Sequence, residues 1–110
     1  MWTFTAYILS KLVSLCPNIT FNDFADFMFN NLWQKHGIVF NDGSRDLYCD
    51  LKYLKELGIL DLNECEDFAK VIIRVKDKDK LTRIATMVVN SNYYQETIDR
   101  AINRWEKAKP

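Results

Sequence analysis

The chain has 110 residues, of which 48% are hydrophobic and 14% aromatic, and its 15 basic and 15 acidic residues cancel to a formal net charge of zero. This length predicts a single domain over residues 1–110, and the apolar content excludes disorder as the main state. The balanced charge excludes a global field that would attract nucleic acid, so any such binding requires a local basic patch.

Cysteine and histidine usage argues against a metal centre or a catalytic site. The three cysteines, Cys16, Cys49 and Cys65, form no C-x-x-C pair, and the only histidine is His36. We therefore expect free thiols, no metal, no cofactor, no small-molecule substrate and no enzymatic activity. No apolar run is long enough to cross a bilayer, and the N-terminal segment lacks a basic leader, so we expect a cytoplasmic protein without a membrane partner.

Two helices are predicted in the first third of the chain. The first spans Trp2–Leu15, where apolar residues keep helical spacing. The second begins after Thr20, a candidate cap with Asp23 three residues later, and ends at His36-Gly37. Because aromatic residues widen its apolar face, we expect this second helix to be the central element of the core.

The most informative segment is SRDLYCDLKYLKELGIL at residues 44–60. Its leucines recur every three or four residues, which predicts a helix over 44–57 with one buried face, ended by the left-handed residue Gly58. Ser44 is the expected N-cap, and Asp46 places negative charge near the positive end of the helix dipole. A second face gathers a tyrosine with basic residues, namely Arg45, Tyr48, Lys52 and Lys55.

A hairpin is predicted after this helix, with an acidic tip at residues 61–67 and a returning strand at 68–76. The run VIIRV favours a strand because β-branched residues are costly in a helix. The alternative is a helix over residues 64–76, with Asn63 as its cap, which would make the protein an all-α bundle.

Two further helices are predicted in the C-terminal region, residues 79–108. Residues 76–80 alternate Lys and Asp and should form a solvated connection, after which Leu81 begins a helix with Asp79 as a candidate cap. A last helix follows the break at residues 90–92. The aromatic faces of the second and last helices are most often part of a core, but together they exceed the needs of one core, which permits a homodimer through the terminal helices with Tyr93, Ile98 and Trp105 as candidate interface residues.

The order of elements resembles the winged helix-turn-helix family of DNA-binding domains, particularly small archaeal and archaeal-virus regulators. The resemblance rests on residues 23–60, with DFADFMFNNLWQKHGIVF, then NDGS, then RDLYCDLKYLKELGIL. These stretches match a long helix, a glycine-containing turn, a helix of the form D-L-x-x-D-L-x-x-L and an L-G-I step into a hairpin. The resemblance implies a mainly α (α+β) fold, a winged helix-turn-helix with extra C-terminal helices.

The same resemblance implies a transcription regulator that binds double-stranded DNA with the helix at 44–57 in the major groove. Its DNA-binding residues would be Arg45, Tyr48, Lys52 and Lys55. The charge pattern separately offers Lys76, Lys78 and Lys80 as further phosphate contacts, although a solvated connection is the interpretation that this pattern favours. The hairpin tip is acidic where a phosphate-contacting wing is usually basic. A winged-helix protein–protein interaction module without DNA binding is therefore the alternative function.

Overall fold

The computed structural model describes residues 2–88 and 92–108, apart from the side chains of residues 68, 92, 93 and 106–108. Over these residues the chain is mainly helical with one small antiparallel sheet, as the α+β prediction has it. The helices are α1 (Trp2–Leu15), α2 (residues 21–36), α3 (Ser44–Glu56), α4 (Lys78–Thr86) and α5 (Asn92–Ala108), and the strands are β1 (Leu60–Asn63) and β2 (Ile72–Val75). The alternative helix over 64–76 is wrong, because this stretch contains β2.

Helix α1, rather than α2, is the central element of the core. It packs against α3, α4 and α5, and all five residues from 5 to 9 are buried. A helix that contacts neighbours on several sides needs an apolar run around its whole circumference, and AYIL supplies it. The one polar residue of the five, Thr5, donates a hydrogen bond to the Asp50 carboxylate at 2.9 Å.

Helix α2 begins and ends where the sequence predicts. The Thr20 side chain accepts a hydrogen bond from the Asp23 N–H at 3.2 Å, and Gly37 ends the helix with φ 69°. Within α2, an α-helical start (Phe21–Asp26) leads into a π-helical segment (Phe27–Trp33) and a final α-helical turn (Gln34–His36). The wider π turn changes which side chains share a face, so a period of 3.6 residues does not describe this segment.

The predicted leucine face of α3 is confirmed for Leu47, Leu51 and Leu54, which are fully buried. The prediction is wrong for Leu57, which follows the last helical residue and is 36% exposed. Gly58, at φ 79°, closes the helix as expected, and two hydrogen bonds turn the chain: Gly58 N–H to Lys55 and Ile59 N–H to Leu54, at 2.9 and 3.1 Å. The predicted N-cap is wrong. Ser44 is already the first helical residue, and the preceding glycine offers no side-chain cap.

The predicted returning strand is confirmed over a shorter range, because Phe68–Lys70 form a 3-10 turn ahead of β2. Strand β2 pairs with β1 in a register that sets Leu60 opposite Val75. On its other edge, β2 pairs with residues 19–21, whose backbone exchanges bonds of 2.9 and 2.7 Å with residues 73 and 71. A three-stranded arrangement therefore ties the start of α2 to the hairpin.

Helix α4 begins at Lys78, three residues earlier than expected. Its N-cap is Asp77, whose side chain accepts from the Lys80 N–H at 3.0 Å, and not the predicted Asp79. Helix α5 buries Ile98, Ala101, Ile102 and Trp105.

Candidate nucleic-acid interface

The three basic residues that the sequence assigns to the 44–57 helix line the solvent side of α3. Arg45, in its first turn, and Lys52 are exposed, whereas Lys55 is half-buried. All three lie on one well-packed helix, whose leucine face fixes its rotation. A rigid helix with cations on its outer side is a suitable scaffold for contacts to an extended anionic ligand.

Tyr48 has a different environment from its basic neighbours. Its side chain is only 8% exposed, and its ring packs edge-to-face on Phe21, with 5.4 Å between centroids and 89° between planes. The Lys52 ammonium lies 5.8 Å from the centre of the same ring. Packing therefore holds the Tyr48 ring in place, so this residue can offer its hydroxyl to a ligand but not a freely moving aromatic surface.

A single carboxylate oxygen, Glu64 Oε1, gathers three of the four predicted interface residues. It lies 3.7 Å from Lys52 Nζ and 3.6 Å from Lys55 Nζ, and it accepts a hydrogen bond from the Tyr48 hydroxyl at 3.4 Å. Glu64 belongs to the segment directly after β1, and its side chain is 43% exposed. The acidic hairpin segment thus folds back over the basic side of α3 and neutralises part of it.

The pKa shifts of this cluster follow from its charges. Lys52 and then Lys55 lower the pKa of the Glu64 carboxyl below its usual value, because both ammonium groups favour the anion. Burial raises the pKa of the Tyr48 phenol, and the negative charge of Glu64 raises it further. At neutral pH the cluster therefore holds an ionised carboxylate and a protonated phenol that can donate to it.

A second polar cluster joins the first half of α3 to α1 and to the preceding turn, and its side-chain donors are buried. The Asp50 carboxylate accepts from the Thr5 hydroxyl at 2.9 Å and from the Asn41 amide at 2.8 Å. Both donors are almost fully inaccessible, with Thr5 0% and Asn41 2% exposed. Asp46 accepts from the same amide at 3.2 Å and from the Asp42 backbone at 3.3 Å, which joins the preceding turn to the first turn of α3. These bonds fix α3 relative to α1.

The remaining predicted phosphate contacts lie on other elements. Lys76, Lys78 and Lys80 are exposed on the connection to α4 and its first turn. Lys76 and Lys78 line a surface groove of about 560 Å³ beside the C-terminal part of α1, whereas Lys80 donates to the Leu57 carbonyl at 3.2 Å. Lys80 thus supplies a donor at the C-terminal end of α3, where the helix dipole favours a positive charge.

The candidate dimer residues are placed in the interior of the chain. Ile98 is 0% exposed and Trp105 is 5% exposed, and the Trp105 ring packs edge-to-face on Phe27 at 5.9 Å. These two side chains have no surface to present to a second copy in this fold. The side chain of Tyr93 lies outside the described part of the chain.

Sequence reasoning missed two functional neighbours of α3, Glu64 and Asn41. Glu64 lies within the acidic hairpin tip, and the sequence signal for its contact is that segment itself, because a hairpin can return acidic residues toward the basic helix that precedes it. Asn41 precedes the Asp-Gly turn and carried no signal beyond turn propensity. Both contacts depend on tertiary geometry.

Comparisons with known proteins found no similar family model, curated protein or solved structure. None of the described helices is both long and apolar enough to cross a membrane. Across residues 2–88 and 92–108, no group of three or more His, Cys, Asp or Glu side chains is placed to hold a metal ion.

Proposed function

We propose that this chain is a winged-helix module that binds double-stranded DNA and regulates transcription, with α3 in the major groove. The order of α2, turn, α3 and hairpin corresponds to the layout of that family, in which the second helix of a helix-turn-helix is followed by a wing. The observation that carries the proposal is that Arg45 and Lys52 are exposed on the side of α3 opposite to its buried leucines. A groove-bound helix requires this separation of faces.

Each residue has a role defined by its position. Arg45, in the first turn of α3, is the candidate for base recognition, because recognition helices contact base edges with their N-terminal residues and arginine binds guanine through two hydrogen bonds. Lys52 and Lys55 are candidates for phosphate contacts, which position the protein on the duplex. The buried Asp50 cluster supports both roles by holding the helix in one orientation.

The test is a salt titration of binding to a labelled mixed-sequence duplex of roughly two helical turns. We expect the logarithm of the affinity to fall linearly with the logarithm of salt concentration between about 50 and about 200 mM. Arg45→Ala and Lys52→Ala should each bind more weakly, and each lost phosphate contact should make the slope shallower by about 0.9. Lys35→Ala, which removes an exposed lysine at the end of α2, is the matched control and should bind like the wild type.

Absence of duplex binding at the lowest salt concentration would refute the proposal, as would equal affinities for the Arg45, Lys52 and Lys35 variants.

One observation favours a second candidate, a protein–protein interaction module: Glu64, Glu66 and Asp67 are exposed on the segment that would be the wing. An acidic wing is unfavourable next to phosphates but suits a basic protein surface. A folded wild-type chain that binds no duplex would favour this candidate.

A further inference from the structure

The donors around Glu64 Oε1 have the composition of an oxyanion-binding site. Two ammonium groups and one phenol hydroxyl converge within 3.4–3.7 Å of one oxygen atom. Ammonium and hydroxyl donors are the groups that bind phosphate oxygens in proteins, and charge-assisted contacts to an anion are the strong ones. The present occupant is a carboxylate of the same chain, so the donors are arranged before any ligand arrives.

Tyr48 and the backbone of α3 are held more firmly than Glu64, whereas the lysine side chains, 53% and 39% exposed, are as open to solvent as the carboxylate. Packing on Phe21 fixes Tyr48, and the buried leucine face and the Asp50 cluster fix the helix that carries both lysines. Glu64, in contrast, follows the last residue of β1 and is 43% exposed. Its two ion pairs are long and solvent-accessible, and such pairs contribute little to folding. A ligand can therefore replace Glu64 without disturbing the core.

We propose that Tyr48, Lys52 and Lys55 form a phosphate-binding site that Glu64 occupies in the free chain, and that a backbone phosphate of DNA takes the place of this carboxylate. The identity of the phosphate rests on the proposed function. A phosphate diester offers two anionic oxygens to the three donors, whereas the present contacts all use one carboxylate oxygen. Glu64 thus competes with the duplex and lowers the affinity that the basic side of α3 would otherwise give.

The first test compares Glu64→Gln with Glu66→Gln in the duplex assay. Both variants remove one negative charge from the same exposed segment, but of these two residues it is Glu64 whose ion pairs with Lys52 and Lys55 the described structure records. We expect Glu64→Gln to bind the duplex about three- to fivefold more tightly than the wild type, and Glu66→Gln to gain less than about twofold. In the Lys52→Ala background the gain from Glu64→Gln should become smaller, because the two residues act on one site.

The second test uses inorganic phosphate alone and follows backbone amide chemical shifts of residues 48, 52 and 55 by NMR. These shifts should saturate at a lower phosphate concentration in Glu64→Gln than in the wild type or in Glu66→Gln. The spectrum also reports whether each variant is folded.

The two tests separate the inference from the function on which it rests. Duplex binding by the wild type with equal affinities for the Glu64 and Glu66 variants would overturn the competing carboxylate and leave DNA binding intact. If the wild type binds no duplex, but the amide shifts saturate at a lower phosphate concentration in Glu64→Gln than in the wild type, DNA binding is overturned and the phosphate site is supported. Absence of both responses would overturn both.

Discussion

Two carboxylates gather polar contacts around α3, and their surroundings give them opposite roles. Asp50 accepts from Thr5 and Asn41, two donors that the protein interior shields from water. Glu64 contacts Lys52, Lys55 and Tyr48 at the surface, with its own side chain 43% exposed. Without Asp50 the two buried donors lose an acceptor, whereas solvent can hydrate the donors around Glu64. The first contact is therefore structural, and the second is replaceable.

The largest expected effect comes from breaking the buried contact. Asp50→Ala should lower the free energy of unfolding by about 3 kcal/mol, because it removes the carboxylate that accepts from buried Thr5 and leaves the buried Asn41 amide with only its longer bond to Asp46. Glu56→Ala, which removes an exposed carboxylate from the same helix, should change stability by less than about 0.5 kcal/mol. Urea unfolding followed by circular dichroism measures both. Equal effects of the two substitutions would show that the Asp50 contact does not stabilise the fold.

A second, smaller effect comes from the buried phenol of Tyr7. Tyr7 is 3% exposed and its hydroxyl lies 3.4 Å from Asp99 Oδ1; burial, and then the charge of Asp99, raises its pKa to about 12. Unfolded tyrosine ionises near pH 10, so the unfolded state releases its proton first and stability falls as pH rises from about 10 to about 12. The expected loss is roughly 2 kcal/mol by about pH 11.5.

The matched variant for this prediction is Tyr7→Phe, which cannot ionise. Between about pH 9 and about pH 11.5 the wild type should lose unfolding free energy relative to Tyr7→Phe. Any advantage of the wild type at about pH 9 should therefore shrink or reverse at about pH 11.5. Urea titrations at both pH values measure it. A constant difference across this range would contradict the raised pKa.

The smallest expected effect on stability belongs to the exposed carboxylate. Glu64→Gln should leave the urea midpoint of unfolding unchanged within error at neutral pH, because exposed ion pairs contribute little. Since the lysines lower the Glu64 pKa, any contribution of its charge is present above the usual carboxyl pKa and is lost as pH falls through the lowered value. A marked loss of stability in Glu64→Gln at neutral pH would show that Glu64, like Asp50, makes a contact that the fold needs.

The sequence was most informative where a local pattern is sufficient. The leucine spacing of α3, the stop at Gly58 and the cap at Thr20 each involve a few neighbouring residues, and all three are confirmed. The end caps of the other helices were harder to assign. Asp77 and Asp79 are equivalent by local chemistry, and the helix begins after the first of them.

The contacts that define the candidate site could not be derived in this way. The approach of Glu64 to Lys52 depends on the register of the β1–β2 hairpin and on its angle to α3, which no local pattern encodes. The same holds for the central position of α1: both α1 and α2 are rich in apolar residues, and only the packed fold shows which one is surrounded. Ile98 and Trp105 were candidate interface residues but are buried within the chain. An apolar stripe along a helix is compatible with a core or with an interface, so the pattern alone does not distinguish the two.

The turn at Gly58 has a consequence for which changes in chain length the protein can tolerate. Within β1, from Leu60 to Asn63, the chain alternates buried and exposed side chains, so one residue inserted after Gly58 would turn Leu60 or Leu62 outward and shift the Glu64 carboxylate away from its partners. Beyond it, the exposed residues 65–67 can lengthen at small entropic cost. We therefore expect natural relatives of this chain to conserve the spacing from Gly58 to position 64 and to vary in length immediately after it.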